Sequence, residues 1–124
     1  MSLPAHLFVS TDLFDTRKAH GYRDPIRYRY CYTYRTIYTV SELKATLRNG
    51  EYAWPGSYQM YFVMSDGGSL SFDTVRKEFR NIIYSMKHKI RDGWVVAGCD
   101  INWEDNDLID DHTGEKIPAA YGTD

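Results

Sequence analysis

Residues 58–90, YQMYFVMSDGGSLSFDTVRKEFRNIIYSMKHKI, contain the change of hydrophobic period that decides the fold. YQMYFVM places strongly apolar residues at alternate positions over seven residues, as in a β-strand whose side chains point to opposite faces. SDGG is typical of a hairpin turn, and SLSF predicts a short strand that returns antiparallel. From Asp73 onward apolar residues recur at helical spacing. This change predicts an amphipathic helix capped by Asp73 or Thr74.

Three flanking segments complete the pattern. SELKATLRNG (41–50) predicts a short helix with Asn49-Gly50 as its stop signal, and WVVAGCDINW (94–103) predicts a last strand. RYRYCYTYRTIYTV (27–40) alternates with a period of two and predicts a long first strand. The resulting order, β-α-β-β-α-β, predicts a ferredoxin-like α+β fold, an antiparallel sheet with two helices on one face.

The length of 124 residues predicts one domain with one hydrophobic core. Apolar residues make up 43% and charged residues 26%, which excludes a wholly disordered chain. We divide the domain into an N-terminal arm (1–26), an α+β core (27–103) and an acidic C-terminal segment (104–124) docked on the core. The arm is expected to be irregular, apart from a short strand at LFVS.

The two cysteines, Cys31 and Cys99, are too few for a disulfide scaffold and indicate a reducing compartment. The first residues, MSLPAHLFVSTDLF, lack the basic and apolar regions of a signal peptide, and no run of about 18 apolar residues occurs. We therefore expect a cytoplasmic protein without membrane association.

Charge divides unevenly along the chain. Residues 1–99 carry 14 Lys+Arg against 9 Asp+Glu, a balance of +5, whereas residues 100–124 carry Lys116 against 8 acidic residues, a balance of −7. Such asymmetry is found at partner sites, and equally in acidic segments that fold back on a basic body.

The tyrosines and arginines of residues 27–40 allow two interpretations. On an open sheet face, tyrosines would stack on unpaired bases while arginines contact phosphates. Alternatively, the tyrosines pack inside and the arginines face water, which we favour because aromatic strands are common for packing reasons alone. The candidate residues for nucleic-acid or partner binding, with two tryptophans as protein anchors, are Arg27, Tyr28, Arg29, Tyr30, Tyr32, Tyr34, Arg35, Trp54 and Trp103.

The run EDNDLIDDHTGE (104–115) raises a metal hypothesis, because carboxylates suit calcium or magnesium. Its spacing does not match the EF-hand pattern, so an acidic loop that is solvated or pairs with the N-terminal arm is favoured, and we expect no metal and no cofactor. If the protein is an enzyme, His112 with Asp110 or Asp111 is the candidate acid/base pair. The candidate acidic patch consists of Glu104, Asp105, Asp107, Asp110 and Asp111.

Four blocks, LRNGEYAWPGSYQMYFV, SDGGSLSF, GWVVAGCDINWEDNDL and DDHTGEKIPAAYG, together resemble a family of small uncharacterised proteins from bacteriophages, prophages and plasmids. In similar phage proteins a C-x-x-C pair follows the SDG turn and another follows NWED, a pattern like a zinc ribbon. The matching segments here are Ser71–Thr74 and Asp110–Thr113, which contain no cysteine. Serine and threonine hydroxyls do not replace thiolate ligands of zinc. We therefore expect no structural zinc, and hydrogen bonds between the two segments instead.

This resemblance implies an accessory protein of a mobile element, without an assigned reaction. We expect it to be non-enzymatic and to bind a host macromolecule, with a protein partner favoured. Single-stranded nucleic-acid binding through the Tyr/Arg segment is the first alternative, and a small metal-dependent hydrolase is the second. A homodimer stays open.

Overall fold

The computed structural model describes residues 3–53 and 58–121. Its elements in chain order are β1 (Leu7–Val9), β2 (Leu13–Asp15), α1 (Val40–Asn49), β3 (Tyr52–Ala53), β4 (Tyr58–Met64), β5 (Ser69–Leu70), α2 (Phe72–Lys77), α3 (Phe79–His88) and β6 (Val96–Ile101). The expected α+β class is confirmed, because all paired strands are antiparallel and helices accompany the sheets. Within the described ranges, no helix has the length and apolarity needed to cross a bilayer.

Strand β4 lies at the centre of the main sheet. It pairs antiparallel with β6, which places Phe62 opposite Cys99, and with β5, which places Phe62 opposite Leu70. Its first residues pair with β3. Beyond β6, the backbone of Thr36 forms an isolated bridge with Gly98. The two strands predicted over YQMYFVM and WVVAGCDINW are therefore direct neighbours.

The core forms on one face of β4. Alternate residues of this strand point inward, as the period of two predicts, and all three helices add apolar side chains to the same cluster. Burial of these side chains is the main favourable term in folding. The inward residues of β4 are Met60, Phe62 and Met64, and the helices contribute Leu43, Val75 and Ile82.

Both helix starts lie earlier than the sequence indicates. Helix α1 begins after Thr39, whose side chain accepts the N–H of Glu42 while the Glu42 carboxylate accepts the N–H of Thr39. This reciprocal capping box satisfies two backbone donors that would otherwise lack partners. Helix α2 begins after Ser71, whose hydroxyl oxygen accepts the N–H of Thr74, so the cap precedes the predicted Asp73.

The single helix predicted after the hairpin is two helices. Glu78 separates α2 from α3 with φ −99° and ψ 20°, outside the regular helical range. Helix α3 ends before Lys89, which adopts a left-handed conformation with φ 53°. The apolar period nevertheless identified the correct buried face, since Val75 and Ile82 are fully buried.

The predicted long strand over residues 27–40 is wrong. Apart from isolated bridges at Arg27 and Thr36, residues 27–39 consist of turns, bends and irregular backbone, and Val40 already belongs to α1. The segment's backbone bonds to β6 around Thr36, where the Ile37 N–H donates to the Ala97 carbonyl and the Cys99 N–H donates to the Arg35 carbonyl. Nearer its start, side chains of α1 are the partners: Arg48 Nε donates to the Tyr30 carbonyl, and the Tyr34 N–H donates to Thr46 Oγ1. At Tyr30 and Tyr34, partners on a helix therefore take the place of the neighbouring strand that a continuous ladder requires. The ferredoxin-like arrangement is accordingly not confirmed.

The N-terminal residues form a small sheet of their own. Leu7–Val9 pairs with Leu13–Asp15, and the rings of Phe8 and Phe14 stack at 4.8 Å between centroids. The predicted strand at LFVS is therefore present. Backbone hydrogen bonds between Leu13 and Arg27 connect this hairpin to the segment that precedes α1.

Candidate functional site

The arginine–tyrosine segment, residues 27–35, places guanidinium groups over tyrosine rings. The Arg48 guanidinium carbon lies 3.8 Å from the centroid of the Tyr30 ring, and that of Arg27 lies 5.7 Å from the same centroid. Arg29 lies 4.9 Å from the centroid of Tyr32. Cations attract the negative face of an aromatic ring, so these pairs stabilise the segment. They also occupy ring surface that the base-stacking hypothesis requires.

The remaining tyrosines of the segment differ in exposure. Tyr28 is 74% exposed and Tyr32 is 38% exposed, whereas Tyr34 packs against the core and meets Tyr32 edge-on at 4.9 Å. Arg35 forms an exposed ion pair with Asp100 at 3.1 Å. The tyrosines thus do not share one open face, because the segment lacks the regular alternation of a strand.

A second group, the aromatic cluster, consists of Tyr58, Trp103 and Tyr121. The ring centroids lie 5.1 Å apart for Tyr58 and Trp103, 5.7 Å for Trp103 and Tyr121, and 6.1 Å for Tyr58 and Tyr121. Trp103 is 42% exposed and Tyr121 is 63% exposed.

Hydrogen bonds support the aromatic cluster. A hydrogen bond with Tyr58 raises the pKa of Tyr121. The backbone supports this arrangement, because the Tyr121 N–H donates to the Trp103 carbonyl. Trp54, the other predicted anchor, lies outside the described residues.

The predicted acidic patch is divided between solvent and interior. Glu104, Asp105 and Asp107 are exposed, whereas the Asp110 side chain is buried. Asp111 is exposed, yet its carboxylate accepts the N–H of Ser69. The five residues therefore do not form one surface.

The Asp110 carboxylate joins the C-terminal segment to the start of α2. One oxygen accepts the N–H groups of His112 and Thr113 at 2.8 and 3.0 Å, and the other accepts the N–H of Ser71 at 2.9 Å. Burial raises the pKa of Asp110, but hydrogen bonds from Thr74 and from the three N–H groups outweigh it and lower the pKa to about 2. The carboxylate is therefore ionised at neutral pH, with its charge balanced by N–H donors.

These contacts bring together Ser71, Thr74, Asp110 and Thr113, the first and last residues of the two segments Ser71–Thr74 and Asp110–Thr113. The hydroxyls of Ser71 and Thr74 lie 3.2 Å apart, and both residues bond to Asp110, as does the N–H of Thr113. The side chains do not fit zinc, because three are hydroxyls and the single carboxylate already accepts backbone donors. The segments are joined by hydrogen bonds that need no metal.

His112 does not form the acid/base pair suggested by the sequence. Its Nε2 lies 3.4 Å from a carboxylate oxygen of Glu78, and its ring meets Trp94 edge-on at 5.3 Å. Asp110 bonds to the backbone N–H of His112, and Asp111 bonds to Ser69. The ring borders a shallow cavity of about 200 Å³. In the part of the chain that the structure describes, no group of three or more His, Cys, Asp or Glu side chains is arranged to hold a metal ion.

Sequence reasoning missed three residues of these sites. Arg48 covers Tyr30 from α1, although the two residues lie 18 positions apart in the chain. Tyr58 and Tyr121 complete the cluster around Trp103 although the chain separates them widely. Aromatic composition was the available signal, but it does not identify which rings meet.

In comparisons with known proteins, no family model, no curated protein and no solved structure matches the chain.

Proposed function

We propose that this protein is a non-enzymatic accessory protein of a phage or other mobile element that binds a host protein through the aromatic cluster. The observation that supports this proposal is the mutual contact of Tyr58, Trp103 and Tyr121 with two of the rings exposed. Tryptophan and tyrosine are the residues most enriched among those that dominate binding energy.

Mutual packing gives the cluster an advantage as a binding surface. Each ring restricts the rotamers of its neighbours, so little side-chain entropy is left to lose on association. Trp103 is further positioned by β6, which ends two residues before it, and by the backbone hydrogen bond from Tyr121. A partner would meet rings that are already oriented.

The charge beside the cluster indicates the chemistry of the partner. Glu104 and Asp105 follow Trp103 directly and are exposed. Charges at the rim of an interface steer association and disfavour partners of like charge. We therefore expect a host protein that offers an apolar pocket bordered by lysine or arginine.

Affinity capture from a bacterial host lysate tests the proposal when it compares matched variants. Trp103→Ala removes the central ring, whereas Tyr84→Ala removes a ring that is 59% exposed on α3, away from the cluster. The wild type and Tyr84→Ala are expected to retain the same host protein, and Trp103→Ala is expected to lose it. Thermal melting of each variant separates lost binding from lost folding.

Two outcomes contradict the proposal. One is capture of no host protein by the wild type, and the other is equal capture by folded Trp103→Ala. A measured affinity for the captured protein adds a quantitative criterion. Truncation of a hot-spot tryptophan costs about 2 kcal/mol or more, which corresponds to at least a roughly thirtyfold weaker affinity.

A further inference from the structure

A basic groove lies between α1 and the α2–α3 pair, separate from the aromatic cluster. Its volume is about 480 Å³, and the lining residues are Lys44, Leu47, Arg48, Arg76 and Phe79. Three of these five residues are cationic, and none is acidic. The apolar side chains of Leu47 and Phe79 pack against the core, which gives the groove an apolar wall between charged ends.

The cations of the groove differ in how far they are neutralised. Arg76 forms a 2.8 Å ion pair with Glu51, so its charge is largely compensated. Among the described residues, neither Lys44 nor Arg48 takes part in an ion pair. Both are exposed on α1, one turn apart. The groove therefore carries uncompensated positive charge.

This positive surface continues beyond the groove through Arg48. Arg48 lines the groove while its guanidinium stacks on Tyr30, and the Arg27 guanidinium lies on the same ring. Arg27 Nη2 donates to Ser41 Oγ at the start of α1, at 2.9 Å. The hydrogen bonds and ring contacts hold both arginines in place before any ligand arrives.

We propose that this groove, with Arg27 beside it, binds single-stranded nucleic acid. Charge complementarity requires an anionic occupant, and Lys44 and Arg48, one turn apart on α1, suit a phosphate backbone. The apolar wall formed by Leu47 and Phe79 offers a surface to a base. An acidic protein segment has negative charge but no flat apolar ring to place against Leu47 and Phe79, so it suits the groove less well than a nucleic acid does. The tyrosines act here as supports for guanidinium groups and not as stacking platforms.

Fluorescence anisotropy with a labelled single-stranded oligonucleotide tests this inference. If Lys44, Arg48 and Arg27 each neutralise one phosphate, the logarithmic dependence of affinity on salt has a slope of about −2. A fourfold rise in salt then weakens wild-type binding roughly twentyfold. Lys44→Ala removes one contact, so the same rise in salt weakens its binding only about sevenfold.

Lys87→Ala is the matched control, because Lys87 is exposed on α3 and does not line the groove. This variant has the same net charge as Lys44→Ala and is expected to keep the wild-type slope. The inference is overturned if the wild type does not bind at low salt, or if both variants give the same slope. It is also overturned if poly-glutamate displaces the oligonucleotide at equal charge concentration, since the groove would then accept acidic protein segments. Binding to the aromatic cluster is tested independently, by Trp103→Ala.

Discussion

Replacing Asp110 by asparagine should destabilise the fold markedly, although the side chain keeps its size. The carboxylate accepts three backbone N–H groups and is 1% exposed. An asparagine has one acceptor oxygen, so its amide nitrogen would face a buried N–H donor. Hydrogen bonds to a charged acceptor contribute about 1.5–3 kcal/mol each in favourable cases, and an unsatisfied buried donor costs about 1–3 kcal/mol. We expect a loss of roughly 2–4 kcal/mol in the free energy of unfolding.

The pKa of Asp110 gives an independent magnitude. The decrease from 3.8 to about 2 corresponds to roughly 2–3 kcal/mol of stability at neutral pH. Because the folded pKa lies below the ordinary value, this contribution is complete above about pH 4 and is lost as the pH falls toward 2. The stability difference between wild type and Asp110→Asn should therefore shrink over that interval.

Urea unfolding, followed by circular dichroism and tryptophan fluorescence, measures both effects. Trp94 lies against His112 and reports on the C-terminal segment. Asp107→Asn is the control, since Asp107 is exposed and the same substitution there should change stability by less than about 0.5 kcal/mol. The reasoning is refuted if the two variants are equally stable, or if the difference between wild type and Asp110→Asn stays constant down to pH 2.

Three further predictions concern the sheet, the thiols and metal. Gly98→Ala should lower the free energy of unfolding by about 1–3 kcal/mol, because the added methyl group would overlap the Arg35 carbonyl oxygen. Unchanged stability in urea unfolding would show that Arg35 does not pack tightly against Gly98. Burial raises the pKa of Cys99 to about 12, so a thiol-reactive dye at pH 8 should label the partly exposed Cys31 first. Rapid labelling of both thiols in the folded protein would contradict the burial of Cys99. Excess EDTA should leave the urea midpoint unchanged, and a lower midpoint would reveal a stabilising metal.

The local sequence pattern was sufficient to predict secondary structure where the interacting residues lie close together in the chain. The strands around the SDGG turn and the buried face of the following helix were predicted correctly, because hairpins and amphipathic helices depend on spacings of a few residues. The Tyr/Arg segment shows where this reasoning fails. Its alternation has a period of two over the whole segment, but the backbone pairs with β6 around Thr36, and at Tyr30 and Tyr34 it bonds to Arg48 and Thr46 on α1. The same period would occur whether or not a neighbouring strand was available.

The candidate sites, too, depend partly on local sequence and partly on tertiary contacts. The sequence by itself determined the α+β class, the core positions of β4 and the separation of basic and acidic residues along the chain, since composition and periodicity carry that information. Only the tertiary structure decided which groups meet: Asp110 with Ser71, Trp103 with Tyr58, and Lys44 with Arg76 across a groove. Such contacts join residues far apart in the chain, and their geometry depends on how the helices and strands pack.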